Sequence, residues 1–129
     1  KIIIEPLMRD KINEACEEIH CYCFHGVCKI IIKLYGSKEK GVSFYNKNFE
    51  PINSIFKLFE KNIKKEADKN IILSKVLSEK LSREMKFVRV DWLLYKNRLY
   101  FSELTFTPYS GFHKFTDNNN YKTGKLIKL

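Results

Sequence analysis

The chain has 129 residues, 44% of them hydrophobic, and a formal net charge of +9. That length allows one modest domain with a real core, and that apolar share excludes a disordered chain. The charge suits an anionic partner such as a nucleotide, a nucleic acid or an acidic polymer, and equally suits solubility alone; the lysines are scattered among acids, which argues against nucleic acid. No apolar run is long enough to span a membrane, and no signal-peptide pattern opens the sequence. The chain starts at Lys1, not methionine, and a strand-like run follows at once. Residues 1–129 are therefore expected to be a single domain cut from a longer protein.

KIIIEPLM reads as a buried strand that breaks at Pro6. Residues 9–18 are polar and read as a connection, with Asp10 as a helix or turn starter. Residues 19–33, IHCYCFHGVCKIIIK, form a hairpin pattern with His25-Gly26 as the turn. All four cysteines, Cys16, Cys21, Cys23 and Cys28, fall in or beside it. Their spacing is not the C-x-x-C of zinc knuckles, and strand alternation separates Cys21 and Cys23 from His20. A disulfide framework fits poorly too, so free thiols packed as small core residues in a reducing cytosol are expected. A loop with a turn glycine covers 34–40, and a short strand ending in a turn covers 41–49.

Residues 51–69 are lysine-rich and read as a loop with a short helix near 55–59, in which Phe56 and Phe59 are packing residues. The clearest helix covers 70–86. Leu73, Val76, Leu77, Leu81 and Met85 repeat at helical intervals, and Glu79 and Arg83 are spaced to pair. This helix should cover the apolar side of the next element, with Trp92 beneath it. Residues 107–115 are rich in turn formers, and 117–120 read as a polar turn.

Residues 87–106, FVRVDWLLYKNRLYFSELTF, are the second hairpin and the organising element. Lys96-Asn97-Arg98 break two β-branched and aromatic runs, and Asn97 tolerates the left-handed backbone of such a loop. With a three-residue loop, Tyr95 faces Leu99, Asp91 faces Glu103 and Arg89 faces Thr105. One side then carries Arg89, Asp91, Glu103 and Thr105. The other carries Val88, Val90, Trp92, Leu94, Leu104 and Phe106. A two-residue loop would put Asp91 and Glu103 on opposite sides, burying charge. Two opposed carboxylates need an arginine, a shared proton or a hard cation such as magnesium between them. The alternative is a solvated sheet face with alternating charges.

This stretch resembles the closing hairpin of the TupA-like ATP-grasp family. The R-V-D strand is Arg89-Val90-Asp91. The E-L-T-F strand is Glu103-Leu104-Thr105-Phe106, with Ser102 before it, and the closing G-F is Gly111-Phe112. Cys23-Phe24-His25-Gly26 is similar to the family's C-F-N-G, with His20 where a lysine is common. Phe44-Tyr45-Asn46 and Phe49 follow its F-Y-D-x-x-W, with the acid lost. Gly124 and Leu126 fit its terminal segment.

The resemblance implies an α+β fold, an antiparallel sheet of about four to six strands backed by one or two helices, as the C-terminal subdomain of an ATP-grasp enzyme. It implies ATP and magnesium as cofactors, with Asp91, Glu103 and Thr105 as metal ligands and Arg89 as the catalytic group offsetting charge on the transferred phosphoryl. Residues 1–8 become the hinge strand, with Glu5, Pro6 and Leu7 at the adenine. The partners implied are a carboxylate substrate, a nucleophilic acceptor and the protein's own N-terminal subdomain, absent here, which normally grips the phosphates. The reaction is ATP-dependent ligation of a carboxylate to an amine or similar nucleophile, in the cytoplasm, in building cell-surface polysaccharide or teichuronopeptide. The fragment alone is expected to be inactive. The rival readings are an inactive remnant of the fold and a basic nucleic-acid-binding module.

Overall fold

Two hairpins of the same construction supply four adjacent strands of the sheet. The computed structural model describes residues 15–36, 41–57, 59, 61–111, 114–116 and 119–127. The expected opening strand, with Glu5, Pro6 and Leu7, lies outside the described residues, as do Phe112 and Asp117. The first hairpin is β1 (Glu17–Phe24) and β2 (Val27–Leu34). The chain continues through β3 (Val42–Asn46), β4 (Pro51–Ile52) and α1 (Lys69–Leu81). The second hairpin is β5 (Phe87–Tyr95) and β6 (Arg98–Thr105), and a short helix, α2 (Asn119–Gly124), follows. The strands form one six-stranded antiparallel sheet in the order β4-β3-β2-β1-β5-β6. The expected α+β class holds. The polar turn expected over 117–120 runs instead into α2.

Both hairpins turn on two residues with left-handed backbone. His25 and Gly26 have φ of 50° and 75°, and Lys96 and Asn97 have 47° and 59°. Such turns match the twist of the flanking strands. Gly26 is also a close approach, since a Cβ there would lie 3.0 Å from the Arg83 carbonyl oxygen. Each hairpin then carries one unpaired residue. Lys29 is skipped between Cys23↔Cys28 and Tyr22↔Ile30, and Ser102 is skipped between Trp92↔Phe101 and Asp91↔Glu103.

The inner strands of the sheet are buried on both sides. One side carries Ile19, Cys21, Cys23, Cys28, Ile31, Tyr45, Val88, Val90 and Trp92 against Ile71 of α1. The four cysteines are buried and form no disulfide among the described residues, as expected of core thiols. The helix differs from expectation. It ends at Leu81, and its buried residues are Asn70, Ile71, Ser74 and Ser78, whereas Leu73, Val76 and Leu81 are 47%, 44% and 44% exposed. Small serines bring the helix axis close to the sheet, and bonds within the helix and from the sheet satisfy them. Ser74 Oγ donates to the Ile71 carbonyl at 2.8 Å, and Trp92 Nε1 donates to Ser78 Oγ at 2.8 Å, so Trp92 does lie beneath α1. Leu77 and Met85 do pack on this core. Glu79 pairs with Lys75 at 2.9 Å, not with Arg83, and accepts from the Cys28 backbone amide. Asp68 caps α1 by accepting from the amides of Asn70 and Ile71.

The other side carries Tyr22, Phe24, Ile30, Ile32, Val42 and Phe44 under Ile55, Phe56, Phe59 and Phe115. Phe56 and Phe59 are packing residues, as expected, with ring centroids 6.4 Å apart. No helix forms among the described residues of 53–59. Ser54 stops it by accepting from the Phe56 amide and donating to the Phe56 carbonyl, a local alternative to helical bonding. Asn46 closes the turn after β3 through its Oδ1, which accepts from the amides of Asn48 and Glu50.

Candidate functional site

The pairing of β5 with β6 collects the charges on one side, by a route the sequence did not disclose. Arg89 faces Thr105 and Asp91 faces Glu103, as expected. The loop, however, has two residues, with Tyr95 opposite Arg98 and Leu94 opposite Leu99. A two-residue loop alone would separate the carboxylates. The extra residue Ser102 restores their facing, and it does so right beside them, where a bulge re-aims side chains. Leu104 packs on the α1 side as expected, while Phe106, past the end of β6, is exposed.

Arg89 Nη2 sits at the focus of three oxygen groups. It donates to Asp91 Oδ2 at 2.6 Å, to Thr105 Oγ1 at 3.3 Å and to Glu103 Oε1 at 3.5 Å. Arg89 Nε donates to both Asp91 oxygens, at 2.8 and 3.1 Å. The Thr105 hydroxyl lies 2.9 Å from Glu103 Oε1. Arg89 and Asp91 are buried, while the Glu103 side chain is 61% exposed. Burial works against the Arg89 charge, but the hydrogen bonds and charge of Asp91 outweigh it and push the Arg89 pKa above its ordinary value. Burial raises the Asp91 pKa, with Arg89 pulling the other way. Such a pair adds little net stability, because desolvation offsets its Coulomb gain.

The long-range pairing of β1 beside β5 completes the site. His20 stands opposite Asp91 and Tyr22 opposite Arg89. His20 Nε2 lies 2.9 Å from Glu18 Oε2, and this contact holds the Glu18 pKa below its ordinary value despite burial. The Arg89 guanidinium lies 5.1 Å from the centroid of the Tyr109 ring. Burial pushes the phenol pKa of both Tyr22 and Tyr109 up. Glu18, His20, Phe59, Arg89, Asp91, Glu103 and Tyr109 line a cleft of about 600 Å³. Sequence reasoning missed Glu18, Tyr22 and Tyr109. For His20 a signal existed, since it stands where a family lysine is common.

The donor set fits a hard cation. Two carboxylates and a hydroxyl supply oxygen only, and magnesium needs no more than one or two carboxylates when phosphate and water complete its shell. Among the described residues, no group of three or more His, Cys, Asp and Glu is placed to hold a metal by itself. A cation here would need further ligands from outside these three residues. It would also take the place that Arg89 Nη2 now fills.

The family model described as TupA-like ATPgrasp matches residues 1–128. No curated protein and no solved structure gives a significant match.

Proposed function

The chain belongs to the TupA-like ATPgrasp family, and on that premise we propose that it forms the C-terminal part of an ATP- and magnesium-dependent ligase joining a carboxylate to an amine or similar nucleophile. ATP supplies the phosphoryl group that activates the carboxylate. Asp91, Glu103 and Thr105 would hold magnesium, which would supply charge neutralisation to the phosphates, and Arg89 would offset charge on the transferred phosphoryl. Glu5, Pro6 and Leu7 contact the adenine, and the N-terminal half of the cleft comes from a preceding subdomain. The setting is the cytoplasm and the synthesis of a cell-surface polysaccharide or teichuronopeptide.

The observation that supports this reading best is the convergence of three oxygen groups on one cation, Arg89 Nη2, in the cleft wall. With magnesium bound, Asp91, Glu103 and Thr105 would be its ligands, and Arg89 would be released to face the transferred group. The same clamp favours a second reading, a remnant in which the guanidinium has replaced the metal for good. Calorimetric titration of magnesium-ATP into the full-length protein and its Glu103→Gln variant separates them. The ligase reading expects magnesium-dependent binding that weakens about tenfold or more in the variant, the scale for losing a ligand or its close partner. A folded protein that binds no nucleotide leaves the remnant.

A further inference from the structure

Arg89 has two kinds of partner. Asp91, Glu103 and Thr105 supply the oxygens on which its Nη2 is focused. The others are tyrosines. The Tyr109 ring has its centroid 5.1 Å from the guanidinium carbon, and the Tyr22 side chain, opposite on β1, hydrogen-bonds the same group. A hard cation would claim the first set, because it prefers carboxylate oxygen. The tyrosines would stay with the arginine.

The backbone that presents the Tyr109 ring is unusual. Tyr109, Ser110 and Gly111 have φ of 53°, 52° and 77°, three left-handed residues in succession, where residues with a side chain seldom adopt even one. Such strain persists where the surroundings impose it, and it gathers at functional sites. Here a second pair of segments imposes it. The Lys57 amide donates to the Lys114 carbonyl at 3.0 Å, and the Thr116 amide donates to the Ile55 carbonyl at 2.8 Å. This short ladder seats Phe115 on Phe56, with ring centroids 4.8 Å apart, and Phe56 makes a T-shaped contact with Tyr109 at 6.3 Å. Ser54 fixes Phe56 in turn, through its amide and carbonyl. The place of the Tyr109 ring is thus set by packing in which the carboxylates take no part.

We propose that Tyr109 is a positioning residue for Arg89: its ring holds the guanidinium in the cleft wall by cation–π attraction, so that Arg89 keeps its place when its oxygen partners turn to a cation. A desolvated contact of this kind is worth about tenfold or more in such an equilibrium. The use of Arg89 in phosphoryl transfer rests on the ligase reading. Its seat does not, so the two can fail separately.

The test is NMR of the Arg89 Nε–Hε signal in the full-length protein without nucleotide, assigned by its loss in Arg89→Lys. Asp91→Asn is the background, because it takes away the charged partner without any metal. There Tyr109→Leu, which keeps apolar bulk against Phe56, should quicken exchange of this proton with water about tenfold or more and cancel its upfield ring-current shift. Tyr109→Phe, which keeps the ring face, should change the exchange by no more than about twofold. If Asp91→Asn does not fold, the same two variants are read in the protein with Asp91, where loss of the ring-current shift in Tyr109→Leu alone supports the seat. A signal that Tyr109→Leu leaves unmoved, or that Tyr109→Phe moves equally, overturns the proposal. Magnesium-ATP titrated in parallel into the unmutated protein separates the two readings. Nucleotide binding with an unmoved Arg89 signal overturns the seat alone, whereas a moved signal without nucleotide binding supports the seat and sinks the ligase.

Discussion

The two hairpins share a plan and differ in where they place its irregular residue. Each has a two-residue left-handed turn and one unpaired residue in its second strand. In β1–β2 the bulge at Lys29 lies two pairs from the turn, and beyond it Ile30, Ile31 and Ile32 are buried between two cores. In β5–β6 the bulge at Ser102 lies four pairs out, next to Asp91 and Glu103. The same device thus sets the register of a core in one hairpin and faces two carboxylates toward an arginine in the other. The difference lies in what is buried beyond the bulge.

Deleting the two bulge residues tests this most severely. Removing Lys29 should shift every isoleucine beyond it to the wrong side of the sheet. A cost above about 4 kcal/mol is expected, because several buried side chains lose their sites at once. Circular dichroism should then show an unfolded or molten chain. Removing Ser102 should turn Glu103 and Thr105 away from Asp91 and, on the ligase reading, abolish magnesium-dependent nucleotide binding. Because β6 is an edge strand of half-exposed residues, thermal unfolding should remain cooperative. If Lys29 deletion is tolerated, the comparison fails.

Next in size is Arg89→Ala, which leaves Asp91 buried without its partner. The expected loss is about 3–5 kcal/mol in urea unfolding. Asp91→Asn in the same background should recover part of it, since no charge then stays buried. A loss below about 1 kcal/mol would mean that water already reaches Asp91.

The turns should respond unequally. Gly26→Ala puts a Cβ 3.0 Å from the Arg83 carbonyl oxygen at φ of 75°, so a loss of about 1–2 kcal/mol is expected. Asn97→Gly at φ of 59° removes a side chain that accepts from Asn70 Nδ2, but relieves the backbone. Its net change should stay within about 0.5 kcal/mol.

The smallest effect concerns the ion pair on the α1 side. Lys33 Nζ lies 2.7 Å from Asp68 and 3.0 Å from Glu17. Burial opposes both the Lys33 and Asp68 charges, yet pairing prevails, raising the Lys33 pKa and lowering that of Asp68. The Asp68 contribution is present above the unfolded carboxylate pKa, about 4. It is lost as pH falls through the lower folded value. Asp68→Asn keeps the helix cap, because asparagine caps as well as aspartate. Its melting temperature should be slightly below wild type near neutral pH, with the gap closing as pH drops under about 4. The side chain of Asp68 is 43% exposed, so solvent screening keeps the effect small.

The sequence alone determined the alternation of each strand, the positions of both turns, the thiols as core residues and the shared side of Arg89, Asp91, Glu103 and Thr105. These follow from local periodicity and from the cost of burying charge, which neighbouring residues reveal. The tertiary structure decided the rest. It chose the serine face of α1, because close packing against the sheet outweighed the apolar stripe of Leu73, Val76 and Leu81. It shortened the turn and inserted Ser102, two changes of one residue that cancel at Asp91 and leave no trace in the alternation beyond. It also set β1 against β5, bringing His20 and Tyr22 to Asp91 and Arg89 from some seventy residues away, a pairing that no local pattern encodes.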